Sequence, residues 1–389
     1  MGIYDDLKLK TVINGDATLT TLGGSLMPMP VIRAMMEAAR SYVDLREMQA
    51  RVGEQIAQMT GNEAAFVTTG AAAGIYLAAA ACMAGEDPEK ASRLPDTAGM
   101  KNEFIVQKPA VTEHDHLLRR AGGKIVSVGT PEKADLSDLQ DAFTRKTAAL
   151  FLAPKGDGPP GTAPIKEAIE AAKEAGIRVI VDAAAQLPPY ANLWRFTVDY
   201  GADAAIFSGG KGLRGPQSTG VLLGKPDIMR ACAFHSSPNP RIGRTLKVGK
   251  EELAGIWAAV REYILMDHDQ LEQQYEEQVR RVVEAFQDVE GVEAERDFPS
   301  EAGQPMPRAL IRIDQAALGL SNRDVLAELR SESPPIMLAA GPGNGVYVNP
   351  QTLRVGEEQI VANRLRRILL TRRIRRLTQS RSDDDIPVI

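Results

Sequence analysis

The chain has 389 residues, 44% of them hydrophobic and 25% charged, the balance of an ordinary soluble globular protein. That length exceeds what one hydrophobic core serves, so one large domain and one smaller one are expected. A net charge of −5 with a pI near 5.6 argues against general affinity for nucleic acid, and two cysteines without paired spacing, Cys82 and Cys232, argue against a disulfide framework or a zinc knuckle.

Met1 to Asp6 lacks the basic flank and apolar run of a signal peptide. The most apolar helical stretch, Ile75 to Met83, is about half of the roughly 20 residues needed to cross a bilayer. A cytoplasmic protein without a membrane span is expected. From Ala64 to Gly224 short apolar runs alternate with helical segments. Strands are predicted at Ala64–Thr68, Phe104–Gln107, Lys124–Val128, Ala148–Ala153, Arg178–Val181 and Ala204–Phe207. Helices are predicted at Ala71–Met83, near Asp115–Ala121, and at Ile165–Ala175 with Gly176 as its stop. Continuous apolar strands separated by helices imply a mainly parallel sheet covered on both faces, with ligands at the carboxyl ends of its strands.

After Val248 the texture changes to a long polar helical region, Lys250 to Phe286. Short strands follow at Ala309–Ile313 and Thr352–Val355, with helices at Asn322–Arg330 and Glu357–Arg376. The reading is α/β, with residues 45–265 as the large domain, 266–389 as a smaller α+β domain, and 1–44 as an N-terminal segment serving the small domain and the active site. The tail Ser380 to Ile389 is polar and acidic, and is expected to fray.

Four local features carry chemistry. Phe207-Ser208-Gly209-Gly210-Lys211-Gly212 follows a strand. A lysine there is either simply solvated or, if partly desolvated, held towards the neutral amine that Schiff-base chemistry needs. Its glycines permit close approach of the backbone and positive φ. In Val181-Asp182-Ala183-Ala184-Ala185-Gln186 an aspartate ends a buried strand, as a helix cap, a loop ion pair, or the partner of a pyridinium nitrogen. Gln186 is placed either as an ordinary loop amide or to reach a pyridoxal phenolic oxygen. Thr68-Thr69-Gly70-Ala71 turns from strand to helix with side chains small enough for a phosphate to meet free N–H groups. Glu113-His114-Asp115-His116 offers a ring-stacking imidazole at His114 or a solvated loop, and no further cluster completes a metal set. Phosphate turn, imidazole, strand-end aspartate and glycine-flanked lysine stand in the order that a pyridoxal site requires.

The sequence resembles the family that contains bacterial selenocysteine synthase (seryl-tRNA selenium transferase) and D-glucosaminate-6-phosphate ammonia-lyase. The resemblance runs from Val12-Ile13-Asn14-Gly15 onward. It includes Leu22-Gly23-Gly24-Ser25, Leu94-Pro95-Asp96-Thr97, Met100-Lys101-Asn102-Glu103, the long block Ser208 to Gly220, Ile242-Gly243-Arg244 and Lys247 to Glu252. It implies a fold-type-I pyridoxal 5′-phosphate enzyme with a mainly parallel seven-stranded sheet, as a homodimer or larger assembly with sites at subunit boundaries. Lys211 matches the Schiff-base lysine and Asp182 the pyridinium partner. Thr69, Gly70, Ala71 and Ser208 match phosphate positions. Arg354 stands where related folds bind a substrate carboxylate, and the other reading for it is a surface salt bridge. Arg214, Arg241, Arg244 and Lys247 are candidates for a substrate or cofactor phosphate.

With a small amino acid or amino-sugar acid as substrate, Lys211 removes the Cα proton while Asp182 keeps the ring nitrogen protonated. Loss of a β-hydroxyl then gives a 2-keto acid and ammonia. Reprotonation on the opposite face would make a racemase, which needs a second base, and protonation at the ring carbon an aminotransferase. A seryl-tRNA selenium transferase would need RNA binding, for which Arg364 to Arg381 supplies arginines. Leu365, Ile368, Leu369 and Ile374 recur there at helical spacing, so an amphipathic surface helix is preferred.

Overall fold

The computed structural model describes residues 2–383, with side chains as far as Thr371. The chain divides into two units, one of residues 23–266 and 301–304, the other of 1–22, 267–300 and 305–389.

The larger unit opens with helices α1 (Met29–Ala39) and α2 (Leu45–Thr60). Asp44 caps α2 by accepting from the N–H groups of Arg46 and Glu47, and Gly61, at φ 67°, ends it in the left-handed conformation that favours glycine. There follow β1 (Ala64–Thr68), α3 (Ala71–Ala84), β2 (Glu103–Gln107), β3 (Lys124–Val128), β4 (Thr147–Leu152), α4 (Ile165–Glu174), β5 (Arg178–Asp182), β6 (Ala204–Ser208), β7 (Gly220–Gly224), α5 (Pro226–His235) and α6 (Lys250–Leu265).

The seven strands lie in the order β1-β7-β6-β5-β4-β2-β3. All are parallel except β7, which pairs antiparallel with both β1 and β6. Side chains alternate between two cores, one per face, as strand geometry demands. Ile105, Leu150, Leu152, Val179, Val181 and Phe207 enter one, while Phe104, Phe151, Ile180 and Ile206 enter the other. Burying a side chain such as Phe151 or Phe207 contributes roughly 1.5–3 kcal/mol.

Three expectations are corrected here. The seventh strand that the resemblance implies had no predicted position: β7, a five-residue strand bounded by glycines and reached from β6 by the loop Gly209 to Thr219, shows too little pattern. The expected segment 1–44 divides at Leu22, because α1 buries Val31 against the core that also holds Leu253 and Ile256 of α6. The polar helical region 250–286 is two helices, α6 and α7 (His268–Glu284), separated where Asp267 caps the second.

The second unit has a four-stranded antiparallel sheet. Its strands are β8 (Val292–Asp297), β9 (Arg308–Ile313), β10 (Ala339–Gly341) and β11 (Gly345–Val348), with helices α8 (Asn322–Ser331) and α9 (Glu357–Asp383). Ile13–Asn14 forms a short parallel pair with Ile336–Met337. The strand expected at Thr352–Val355 does not form: Pro350–Thr352 is a 3-10 turn, Leu353 and Arg354 have no regular structure, and Val355 and Gly356 turn into α9. Leu365, Ile368 and Leu369 of α9 are buried, while Arg366 grips Asp288 at 2.5 Å and Arg364 and Arg367 meet Glu332. These arginines are held by the unit's own carboxylates. Arg372, Arg373, Arg375 and Arg376 carry side chains outside the described residues, as does the tail from Ser380. Among the described residues no helix is long and apolar enough to cross a membrane.

Candidate active site

β6 ends at Ser208, and the chain loops through Gly209 to Thr219 before β7 returns at Gly220. The glycines of this loop answer to space. A Cβ at Gly209 would lie 1.9 Å from Thr219 Oγ1, at Gly210 2.5 Å from Gln217 Cα, and at Gly212 2.5 Å from the Leu187 carbonyl oxygen. The left-handed position of the loop is Arg214, at φ 55°, so the positive φ anticipated for the glycines falls elsewhere. Lys211 is half-buried on this frame.

Sequence reasoning missed what holds the frame from the other side. Ser25 donates to the Gly210 carbonyl oxygen from its N–H at 2.8 Å and from Oγ at 2.9 Å. Gly24, at φ 72°, admits that oxygen to within 2.4 Å of where a Cβ would be. Arg214 Nε donates to the Leu26 carbonyl oxygen at 3.3 Å. The signal was Leu22-Gly23-Gly24-Ser25, whose paired glycines announce close backbone contact without saying with what.

Asp182 ends β5 beside this loop, accepting from the Ala184 N–H at 3.1 Å. Loss of surrounding water pushes its carboxyl above the usual carboxylate range, although the Ala184 N–H, His114 and Lys211 all favour the charged form; Asp115 disfavours it. Lys211 shows the converse. Burial pushes its ammonium below the usual range, against the pull of Asp182 and Glu301. His114, Asp182 and Lys211 thus share one electrostatic neighbourhood. His114 itself is exposed, in the turn Glu113–Asp115, its N–H donating to Thr112 Oγ1 at 3.2 Å.

The raised Asp182 carboxyl has a consequence for stability. Its value is higher folded than unfolded, so the unfolded chain loses this proton first and stability falls as pH rises between the two. Cofactor-free Asp182→Asn should therefore melt about 1–3 °C above the parent at neutral pH, with the gap narrowing as pH falls through the raised folded value towards the ordinary carboxylate range. Scanning calorimetry over that pH range checks this, and a parent that melts higher at neutral pH refutes it.

The turn Thr69-Gly70-Ala71 lies at the C-terminal end of β1. Gly70, at φ 83°, precedes α3 and gives it no side-chain cap, so the first N–H groups of a 14-residue helix are left for another acceptor. Gly220 stands between this turn and Ser208, opposite Thr68 in one ladder and Ser208 in the other. A Cβ there would fall 2.6 Å from the Gly70 carbonyl carbon. Gly74 brings α3 equally close to the sheet, 2.8 Å from Leu222 Cδ1 by the same measure.

Other candidates stand differently. Gln186 is buried with both ends of its amide engaged, Oε1 accepting from the Gly156 N–H at 3.0 Å and Nε2 donating to the Ala302 carbonyl oxygen at 2.9 Å. It clamps backbone, a different use from the phenolic-oxygen contact expected for it. Arg244 is exposed and, with Arg46, Arg230 and Lys247, lines a cavity of about 710 Å³ to which the Lys211 loop contributes nothing. Arg354 is exposed on the second unit, its N–H donating to Glu357 Oε2 at 2.9 Å. Among the described residues no group of three or more His, Cys, Asp or Glu is arranged to hold a metal ion.

The model of the L-seryl-tRNA selenium transferase family matches residues 12–282. The chain belongs to this family. A 5′-C-glycyluridine monooxygenase-decarboxylase from a Streptomyces species is 34% identical, over 94% of this chain and 92% of that protein. A D-glucosaminate-6-phosphate ammonia lyase of Salmonella typhimurium is 31% identical, over 94% and 97%. A solved structure of D-glucosaminate-6-phosphate ammonia-lyase matches with a TM-score of 0.82 and 30% identity, covering 95% of this chain and 99% of that one. A serine palmitoyltransferase from S. paucimobilis with bound PLP, 13% identical at a TM-score of 0.57, shares the fold alone. The architecture is the fold type I of pyridoxal phosphate-dependent enzymes, and the family is one of such enzymes.

Proposed function

We propose that this chain is a pyridoxal 5′-phosphate-dependent lyase that acts on a hydroxylated amino acid or amino-sugar acid by β-elimination, releasing a 2-keto acid and ammonia. The observation that carries the reading is the pairing of a desolvated lysine with a desolvated strand-end carboxylate, Lys211 with Asp182. Each is costly where it stands, and a bound pyridinium ring relieves the carboxylate while covalent attachment relieves the lysine. The uncapped start of α3 suits the cofactor's phosphate, so the residues present fit the group.

When bound, pyridoxal phosphate supplies the electron sink for charge developing at Cα. Lys211 would hold it through Nζ and, as the free amine, would take the Cα proton. Asp182 would hold a proton at the ring nitrogen. Thr69, Gly70, Ala71 and Ser208 would receive the phosphate, and His114 would lie against the ring. Arg354 is proposed to meet an anionic group of the substrate, and Arg244 to do so across a subunit boundary. A homodimer or larger assembly in the cytoplasm completes the proposal.

Similarity to both an ammonia lyase and a monooxygenase-decarboxylase supports Cα chemistry and leaves the fate of the charge to experiment. Purified holoenzyme is offered D- and L-hydroxy amino acids and phosphorylated amino-sugar acids with no amino acceptor. Release of 2-keto acid and ammonia in equal amounts is expected. Deuterium uptake at Cα without keto acid would make it a racemase, and dioxygen consumption with carbon dioxide release a decarboxylating oxygenase.

A further inference from the structure

Where Lys211 Nζ can reach depends on how the backbone beneath it is held. Towards the sheet, the Gly209 N–H donates to the Thr219 carbonyl oxygen at 2.8 Å, and the Gly209 carbonyl oxygen accepts from the Gly215 N–H at 2.7 Å. Beyond the lysine, its own carbonyl oxygen accepts from the Arg214 N–H at 3.0 Å. Gly212 packs against the Leu187 carbonyl oxygen, which Gln304 Nε2 holds at 2.5 Å. The peptide that enters Lys211 is less well served from within the loop, since its N–H reaches the Ser208 carbonyl oxygen only at 3.5 Å. The carbonyl end of that same peptide belongs to Gly210, and there Ser25 donates twice, from its N–H at 2.8 Å and from Oγ at 2.9 Å. The contact is close by construction: a Cβ on Gly24 would stand 2.4 Å from the same oxygen, and Arg214 Nε ties the Leu26 carbonyl oxygen to the loop at 3.3 Å.

We propose that Ser25 is a positioning residue for the cofactor lysine: its hydroxyl sets the tilt of the Gly210–Lys211 peptide and so the direction in which Nζ leaves the loop. This rests on the reading of Lys211 as the cofactor lysine. Because a peptide unit is planar, fixing the Gly210 oxygen fixes the nitrogen and Cα of Lys211 with it. One donor would leave the plane free to rock about a single line, and the second donor removes that freedom. Magnitudes separate this role from a merely structural one. Loss of one neutral hydrogen bond moves the melting temperature of a chain this long by only about 1–2 °C. Misplacing a reacting group by about 1 Å costs on the order of 10²-fold in rate. A positioning hydroxyl therefore shows in rates and hardly at all in melting.

The experiment mixes cofactor-free full-length chain with pyridoxal 5′-phosphate and quenches samples with borohydride at intervals. Nζ condenses with the aldehyde carbon and releases water, borohydride reduces the product, and peptide mass spectrometry times its arrival on Lys211. Ser25→Ala keeps the N–H donor, and is expected to slow attachment about tenfold while melting within about 2 °C of the parent. Ser25→Thr keeps the hydroxyl and should recover most of the rate. Ser25→Cys, similar in shape but a weak donor, should resemble alanine, and it carries the test should Ser25→Ala fail to fold. Hydrogen exchange of the same cofactor-free proteins gives a second reading. The peptide spanning 209–219 should exchange severalfold faster in Ser25→Ala, with peptides from β2 and β4 unchanged. Parental attachment or parental exchange in Ser25→Ala overturns the proposal. So does a slowing that comes with a melting loss of several degrees and that Ser25→Thr leaves unrepaired, which marks a packing role. A pyridoxyl adduct on another lysine of the parent is a different failure: it sinks the cofactor reading itself, and the role of Ser25 with it.

Discussion

Lys211→Ala is expected to bring ammonia and 2-keto acid release below detection and to leave the purified protein without covalently retained cofactor. The magnitude has two sources. Proton transfer by a positioned side chain is worth about 10²–10⁴-fold, and loss of the covalent link removes a step that sets the reacting carbon in place. The fold should be untouched, since Lys211 is half-buried on a loop framed by Gly209, Gly210 and Gly212 rather than set in either core. The measurements are turnover, borohydride-reduced peptide mapping and a melting curve. Parental turnover in the alanine variant, or reduced cofactor found on another lysine of the parent, refutes the assignment.

Gly209→Ala should produce the largest structural effect of any single methyl group in the chain's active region. Its Cβ would stand 1.9 Å from Thr219 Oγ1 and 2.7 Å from Ile256 Cδ1. Thr219 cannot swing aside cheaply, because it is fully buried and its hydroxyl donates to the Pro216 carbonyl oxygen at 2.7 Å. Overpacking of this kind costs about 1–3 kcal/mol. The backbone must yield, and Lys211 lies two residues on. We expect a melting temperature several degrees lower and cofactor affinity reduced by at least tenfold. Gly209→Ala combined with Thr219→Ala removes the offending oxygen and should recover part of both losses. A single variant that melts with the parent and binds cofactor equally well would show that the loop is slack.

The fold was largely legible because its strands are buried on both faces. Val179, Ile180 and Val181 form an unbroken apolar run that only a covered parallel sheet explains, and the same holds for β2 and β4. The missing strand, β7, is likewise buried, but its glycine ends and its proximity to β6 disguise it as part of a loop. Lys211 and Asp182 were legible from position, each at the end of a strand. The Ser25 and Gln304 contacts were not, because they join residues far apart in sequence through backbone carbonyls and leave no local pattern. Gln186 shows the limit from the other side: its place after Asp182 suggested a ligand, while its amide is held by Gly156 and Ala302.

Because the larger unit recruits Glu301–Gln304 after a long excursion, no gene fragment ending at Met266 encodes it whole. Such a truncate would strip Gln186 of its Ala302 acceptor and leave the Leu187 carbonyl without Gln304. Dissecting the protein for separate expression would call for a grafted tetrapeptide or a permuted chain rather than a simple cut.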